Sequence, residues 1–309
     1  MRLSVIVVNW NLRDELAACL DSLRLQSHED LEVIVVDNGS SDGSLELLDE
    51  YPEYTVLREG ENLGFAEGCN RGIAVATGEW IAMLNNDATA DPDWAAALVR
   101  SAEKGPAHRG MLQSLMLFKQ QPETINSTGI DLGRNGGGRD RHEGQPRTTA
   151  LAEEEIFCCT AGAAAYRRTM LERIKLKSGY FDRTHFMYAE DMDLGWRARL
   201  AGWSAAYVPS SIVFHRYHGS SHRHGNTWLI TMGRSNRIRT LLKNASGALL
   251  VRLSPILLGA AVELLWYAKA QGAHALVAAV RDGVGARKEV AALSTENRRN
   301  VEERWLSDS

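Results

Sequence analysis

The sequence predicts an α/β protein: a doubly wound, mainly parallel sheet followed by a helical C-terminal extension. Three observations carry this reading. The first hundred residues alternate short apolar runs with helical patterns. The runs are rich in β-branched residues, as strands covered on both faces are. Three of the runs end in polar residues, where an open α/β sheet places its ligands.

Taken in order, LSVIVVN (3–9) is a buried strand, and RDELAACLDSLRLQS (13–27) puts Leu16, Cys19, Leu20 and Leu23 on one helical face. EVIVVDNGSSDGS (32–44) is a second strand breaking at Asp37 into a Gly/Ser turn, with Asp42 or Ser44 able to cap the helix that follows. YTVLREG reads as a third strand, EGCNRGIAVATG (67–78) as a short helix closed by Gly78, and EWIAMLNNDATADPDW as a fourth strand stopping at Asn85. From 105 to 155 the pattern loosens, and GIDLGRNGGGRDRHEGQPR reads as a mobile loop or a pair of short strands. A helix at MLERIK, a helix beginning near Asp191 and a last strand SAAYVPSSIVFH ending at His215 complete a domain over 1–225. Within it, about 1–100 and about 101–225 read as two halves. Residues 226–309 form the extension, with helices near 227–245, 255–271 and 272–292.

The chain has 309 residues, 44% of them hydrophobic, enough for one large core with an appendage. A formal net charge of -4 carries no basic excess and excludes nucleic acid as the expected partner. Cys19, Cys69, Cys158 and Cys159 form no CxxC pair and read as buried thiols in a reducing, cytoplasmic compartment. The start has no export-signal pattern, and the apolar tract 247–270 is interrupted by Arg252, Pro255 and Glu263, short of the roughly 18 residues a spanning helix needs. Residues 247–292 mix basic, aliphatic and aromatic side chains. They can lie on the inner face of a membrane, pack on the domain, or meet a second copy in a homodimer.

The polar strand ends are Asn9–Asn11, Asp37–Gly43 and Asn85–Asp87. The turn at Asn38 and Gly39 permits close backbone approach to a ligand. In NLGFAEGCNRG, Gly64 and Gly68 let the chain pass close to a ligand, Asn62 and Asn70 add polar groups, and Arg71 can pair with an anionic group, although an ordinary loop and helix start is also consistent. The small residues of TAGAAAYRR, Gly162 foremost, leave room for a ligand in front of the sheet or serve core packing. Glu190, Asp191 and Asp193 suit the positive end of a helix, and Asp193 with Arg197 makes an i,i+4 pair. That account leaves the aromatic HFMY beside the acid doublet unexplained.

VVDNGSSDGS, NLGFAEGCNRGIAVATGEWIAMLNNDA, TAGAAAYRR, FMYAEDMDLGWRARLAGW and VFHRYHGSS occur in the order and spacing of the family 2 glycosyltransferases. The resemblance covers about residues 3–221 and is nearest to the bacterial rhamnosyltransferase-like branch. It implies a GT-A, Rossmann-like fold and inverting transfer from a dTDP- or UDP-sugar to a glycan or polyprenyl-diphosphate-linked acceptor in cell-surface polysaccharide synthesis. By this resemblance Asp37 would take the base N3–H, while the role of a turn Asp capping the next helix remains open. Asn85-Asn86-Asp87 stands in the place of the family's DxD, with Asn85 toward the ribose and Asp87 on a Mg²⁺ or Mn²⁺ ion. Only one carboxylate remains there, so weak metal affinity is expected before the donor binds. His215, with His218 as second choice, would reach the metal or diphosphate. Asp191 would be the catalytic base, with Glu190 beside it. Two rivals stay open: a sugar nucleotidyltransferase, and a non-catalytic glycan- or nucleotide-binding module. A dehydrogenase is disfavoured because no GxGxxG follows the first strand.

Overall fold

The computed structural model describes residues 1–216 and 225–307. Four parallel strands open the sheet: β1 (Leu3–Asn9), β2 (Leu31–Asn38), β3 (Thr55–Glu59) and β4 (Trp80–Leu84). Their registers pair Asn9 with Asp37 and Asp37 with Arg58, so the polar tips finish level with one another. Helices α1 (Arg13–Arg24), α2 (Ser44–Leu47) and α3 (Phe65–Val75) connect them. Alternate residues of each strand feed opposite layers. Val5, Val7, Val33 and Val35 pack with Leu16, Leu20 and Leu23 of α1, whereas Ile6, Ile34 and Val36 pack with Cys69 and Ile73 of α3. This two-sided burial is the physical reason for the unbroken apolar runs.

Beyond β4 come β5 (Ala88–Ala90), α4 (Trp94–Lys104), β6 (Arg109–Phe118) and β7 (Gln121–Ser127). After these follow β8 (Ile130–Gly133), β9 (Gly138–Asp140), β10 (Glu154–Ile156), β11 (Ala163–Arg167), α5 (Arg168–Ile174), α6 (Glu190–Leu200) and β12 (Ser204–His215). The main sheet runs β10-β12-β6-β11-β4-β1-β2-β3, with β5 on β12 and β7 on β6. Strand β11 is antiparallel to both β4 and β6, and β12 is parallel to β6, so β1 to β4, β6 and β12 share one direction while β11 and β7 run against it.

Strand β6 lies inside the stretch where the sequence pattern loosens. Gln113 and Ser114 interrupt its apolar run, and both are satisfied internally: Trp94 Nε1 donates to Ser114 Oγ (2.9 Å) and the Thr160 amide donates to Gln113 Oε1 (2.8 Å). The Gly-rich 130–141 segment is a pair of short strands, the β8–β9 hairpin, rather than a loop. Its turn residue Gly136 (φ 73°) sits against Leu241 and Leu253 of the extension.

The extension comprises α7 (Asn226–Asn244), α8 (Gly247–Arg252), α9 (Ser254–Leu293), α10 (Arg298–Trp305) and β13 (Leu306–Ser307), which pairs with β8. Helix α9 is broken at Lys269 (φ 46°, ψ -121°), near the boundary expected between two helices. Leu241, Leu249, Leu253, Val290 and Val301 share one buried cluster with Phe157, Met192, Trp196 and Leu200. Among the described residues, no helix is long and apolar enough to cross a membrane. The four cysteines are buried and free.

Candidate active site

A cavity of about 610 Å³ opens above the carboxyl ends of β1, β2 and β4. Its wall includes Asn38 from β2, Asn85, Asn86 and Asp87 after β4, His215 from the end of β12, Gly162 before β11, and Glu190 and Asp191 at the start of α6. Asn62 and Gly64 complete the set of expected residues found there. Gly64 has φ 83°, and a Cβ on it would lie 2.6 Å from Phe186, so only glycine fits where these two loops meet.

The other expected nucleotide-binding residues serve the scaffold behind this wall. Asp37 is fully buried, and its carboxylate is occupied by the Ser40 amide (2.8 Å), Ser40 Oγ (2.6 Å) and Asn9 Nδ2 (2.9 Å). It ties the β2 turn to β1 and lines no part of the cavity, and its contacts are to this turn rather than to the start of α2, so it does not cap the next helix. Asn9 also accepts from Asn86 Nδ2 (2.7 Å), and Asn11 Oδ1 accepts from the Ser41 amide (2.9 Å). Gly39 forms the turn at φ 72°, and Gly68 packs on Val8. Asn70 clamps both backbone groups of Phe181, at 2.8 and 3.0 Å. Arg71 is exposed and paired with Glu67 (3.1 Å) one turn away, not turned toward a phosphate site. Asn38, one residue beyond Asp37, is the β2 side chain that reaches the cavity. Its Nδ2 donates to the Gly64 carbonyl (3.1 Å), and its buried Oδ1 has no hydrogen-bond partner among the described residues. A buried acceptor without a donor is costly unless a ligand supplies one.

Asp87 and His215, both nearly buried, meet at 3.1 Å between Oδ1 and Nε2. Asn126 Oδ1 accepts from His215 Nδ1 (2.8 Å), which leaves Nε2 to face Asp87 and Asn85 Nδ2 (3.2 Å). An imidazole nitrogen and a carboxylate oxygen this close need a proton or a cation between them. Their separation matches the edge of an octahedron with bonds of about 2.1 Å, so the pair fits a Mg²⁺- or Mn²⁺-class ion. The cavity also gathers Asp140, Glu143, Glu190 and Asp191 against Arg139 and His215, an acidic surplus no diphosphate would enter without a compensating cation. Asp182, His185 and Asp193 form a second cluster with metal-ligand spacing, but Lys243 Nζ lies against both carboxylates, 3.0 Å from Asp193, and already provides the cation. His218 lies outside the described residues.

Glu190 and Asp191 open α6 as its first two residues. Burial, then the neighbouring Asp191 charge, pushes the Glu190 carboxyl well above the usual range, and its Oε2 has no hydrogen-bond partner among the described residues. Asp191 is half-buried and accepts from the Met192 (2.7 Å) and Ala161 (3.2 Å) amides. Burial outweighs these amides and raises its pKa, making it a stronger base than its place at a helix N-terminus alone implies. Asp140 on β9 is raised to about 6, first by burial. Neither Asp140 nor Asn126 was singled out from the sequence; both come from the segment without clear periodicity.

The backbone leading into α6 is strained. Phe186, Tyr188 and Ala189 have φ of 61°, 70° and 64°, a conformation costing about 1–3 kcal/mol per non-glycine residue. The Met187 amide donates back to the His185 carbonyl (2.7 Å), closing a tight turn around Phe186.

Residues 4–175, more than half of the chain, match the family described as glycosyl transferase family 2. The chain belongs to that family. It is 29% identical over 246 residues to the N-acetylglucosaminyl-diphospho-decaprenol L-rhamnosyltransferase of Mycobacterium tuberculosis, covering 69% of this chain and 75% of that one. It is 28% identical over 225 residues to the putative glycosyltransferase EpsH of Bacillus subtilis, covering 71% of this chain and 61% of the relative. Among solved structures, the mannosyltransferase PcManGT of Pyrobaculum calidifontis, in complex with GDP-Man and Mn²⁺, superposes with a TM-score of 0.55 at 20% identity, over 94% of this chain and 79% of that one. Residues 1–349 of S. aureus TarS with UDP-GlcNAc give 0.56 at 18%, over 95% and 84%. These likenesses agree with a GT-A fold, and this family 2 member is a glycosyltransferase.

Proposed function

We propose that this enzyme is a metal-dependent, inverting glycosyltransferase moving a sugar, rhamnose by its mycobacterial relative, from a dTDP- or UDP-sugar to a lipid-linked glycan hydroxyl in cell-surface polysaccharide synthesis. The observation that carries this reading is the single cavity shared by Asn38, the Asp87–His215 pair and the Glu190–Asp191 pair. The open Oδ1 of Asn38 suits the imide N3–H of thymine or uracil. Asp87 and His215, with Asn126 fixing the imidazole, would hold a divalent cation. When bound, that ion neutralises charge on the departing diphosphate. Asp191 takes the proton of the acceptor hydroxyl as the oxygen bonds to the sugar C1 and the C1–O bond to the diphosphate breaks. The raised Asp191 pKa aids this step once the group is ionised.

Residues 1–225 are read as the catalytic unit and 226–309 as an extension that serves it. Leu258, Val262, Leu265, Trp266 and Tyr267 are exposed on the first half of α9. Aromatic residues among aliphatic ones favour a peripheral position on the cytoplasmic membrane face, where a polyprenyl-linked acceptor would reside.

The test is transfer from labelled dTDP- and UDP-sugars with Mn²⁺. Asp191→Asn is expected to abolish turnover while leaving nucleotide affinity intact. Full turnover by this variant would remove Asp191 from the mechanism.

A further inference from the structure

We infer that Asn236, on α7 of the C-terminal extension, is a positioning residue that holds the strained segment delivering the acid pair to the cavity. This inference rests on the reading of Glu190 and Asp191 as the reacting pair.

The left-handed turns at Phe186, Tyr188 and Ala189 bring three backbone carbonyls to one place. Asn236 Nδ2 meets all three: His185 at 2.8 Å, Met187 at 2.8 Å and Tyr188 at 2.9 Å. Three carbonyl oxygens converging on one buried point repel one another unless a donor stands among them. Asn236 is fully buried, so water does not take its place there. Its amide cannot turn over freely, because Arg239 Nη1 donates to Asn236 Oδ1. Arg239 in turn faces Asp282 of α9 at 3.5 Å. A continuous polar chain therefore runs from Asp282 through Arg239 and Asn236 to the segment directly before Glu190.

The segment is fixed on its other side as well. The Phe186 carbonyl accepts from the Ala66 amide (3.0 Å) at the start of α3, beside Gly64. His185 Nε2 meets Thr240 Oγ1 (2.9 Å), one turn along α7 from Asn236. Without the Asn236 donor, the turns lose the group that offsets their strain, and relaxation of Tyr188 and Ala189 would rotate the first turn of α6. A displacement of about 1 Å at a reacting group is enough to lower a rate about 100-fold.

The experiment compares the full-length enzyme with Asn236→Ala, Asn236→Asp, Arg239→Met and Ile238→Ala. Ile238 lies on the same helix but packs with Ala260, Leu264 and Ala279, away from the strained segment, and so reports simple loosening of α7. Both Asn236 variants are expected to lower kcat about 100-fold, with the nucleotide-sugar KM and Mn²⁺-dependent binding of dTDP or UDP within about twofold. Arg239→Met should lower kcat less, and Ile238→Ala should leave it unchanged below its melting temperature. Amide hydrogen exchange over 186–191 should quicken at least about tenfold in the Asn236 variants only, a readout that needs no acceptor. Unchanged exchange and kcat in Asn236→Ala, or an Ile238→Ala loss equal to that of Asn236→Ala, would overturn the inference. Asp191→Asn is run in parallel: if it keeps full turnover, the reading of the acid pair fails, whereas its loss alongside an active Asn236→Ala defeats only the role of Asn236.

Discussion

Lys243→Met should destabilise this protein strongly, because it takes the charge from the middle of a buried acid cluster. Lys243 is fully buried on α7, with Nζ against Asp182 and 3.0 Å from Asp193. Burial alone would raise both acids. Lys243, together with Arg197 at Asp193 and His185 at both, reverses that and holds Asp193 at about 2 and Asp182 lower still. A carboxylate moved from 3.8 to about 2 represents about 2.4 kcal/mol of stability, present above pH 4 and lost as the pH falls through 2. Removing the ammonium leaves Asp193 with Arg197 and takes from Asp182 its main opposite charge, and breaking such an arrangement costs about 3–5 kcal/mol at pH 7. The gap should narrow on acidification for two reasons. An uncompensated acid in the variant takes up a proton as the pH falls. In the wild type, His185 is held at about 4, by burial first and then by Lys243, against an ordinary 6.5. A depressed histidine pKa gives stability that is complete above pH 6.5 and is lost toward pH 4, about 2 kcal/mol of it by pH 5. Without Lys243 part of that loss disappears: burial and Arg239 still hold the imidazole down, but one of the charges opposing its protonation is gone. Urea unfolding followed by tryptophan fluorescence at pH 7 and pH 5 measures both gaps. A variant within about 1 kcal/mol of wild type at pH 7, or an equal gap at both pH values, would refute the argument.

Two further outcomes follow from the cavity. Asp140 keeps its proton up to about pH 6, so as a raised carboxylate it lowers stability as the pH climbs from about 4 to 6. Asp140→Asn should therefore stabilise the metal-free protein by about 1–2 kcal/mol at pH 8, after discounting for partial solvent access, and by nothing at pH 4; melting temperatures that change equally at both pH values would count against this. Asn126→Ala removes the acceptor that orients His215 and should weaken Mn²⁺ activation about 10–100-fold while sparing donor affinity at saturating Mn²⁺. An unchanged Mn²⁺ activation curve would show that His215 does not hold the ion.

The N-terminal half was legible because its signals are local. Val5 and Val7 face one layer and Ile6 the other, and a run buried on both faces can be read without knowing its partners. Strand β6 was not legible, since Gln113 and Ser114 are acceptable inside the sheet only because Thr160, Trp94 and Ser211, distant in sequence, satisfy them. The same limit hides that Asn38, and not Asp37, is the β2 side chain lining the cavity. Strand alternation separates the two side chains, but which of them turns to the cavity is decided by Asn9 and Ser40 taking up the carboxylate.

The acid pair shows how sequence and structure divide the work. Its location at the start of a helix, beside aromatic residues, is written in YAEDMDLGW, and Asp193–Arg197 is the pair its spacing foretells, buried at 2.9 Å. What no local signal carries is the support beneath it. Asp193 is also gripped by Lys243 and Asn244 of α7 (3.0 and 2.8 Å), and His185 by Thr240 (2.9 Å). These partners stand some fifty residues later, in a helix whose sequence pattern suggests only a basic, amphipathic surface. A helix that buries its Asn, Thr and Lys against the acids of another is not an appendage in energetic terms. Loosening it would leave charges and strained carbonyls unpaired directly behind the cavity wall, so the stability of the extension and the geometry of the reacting carboxylates should change together.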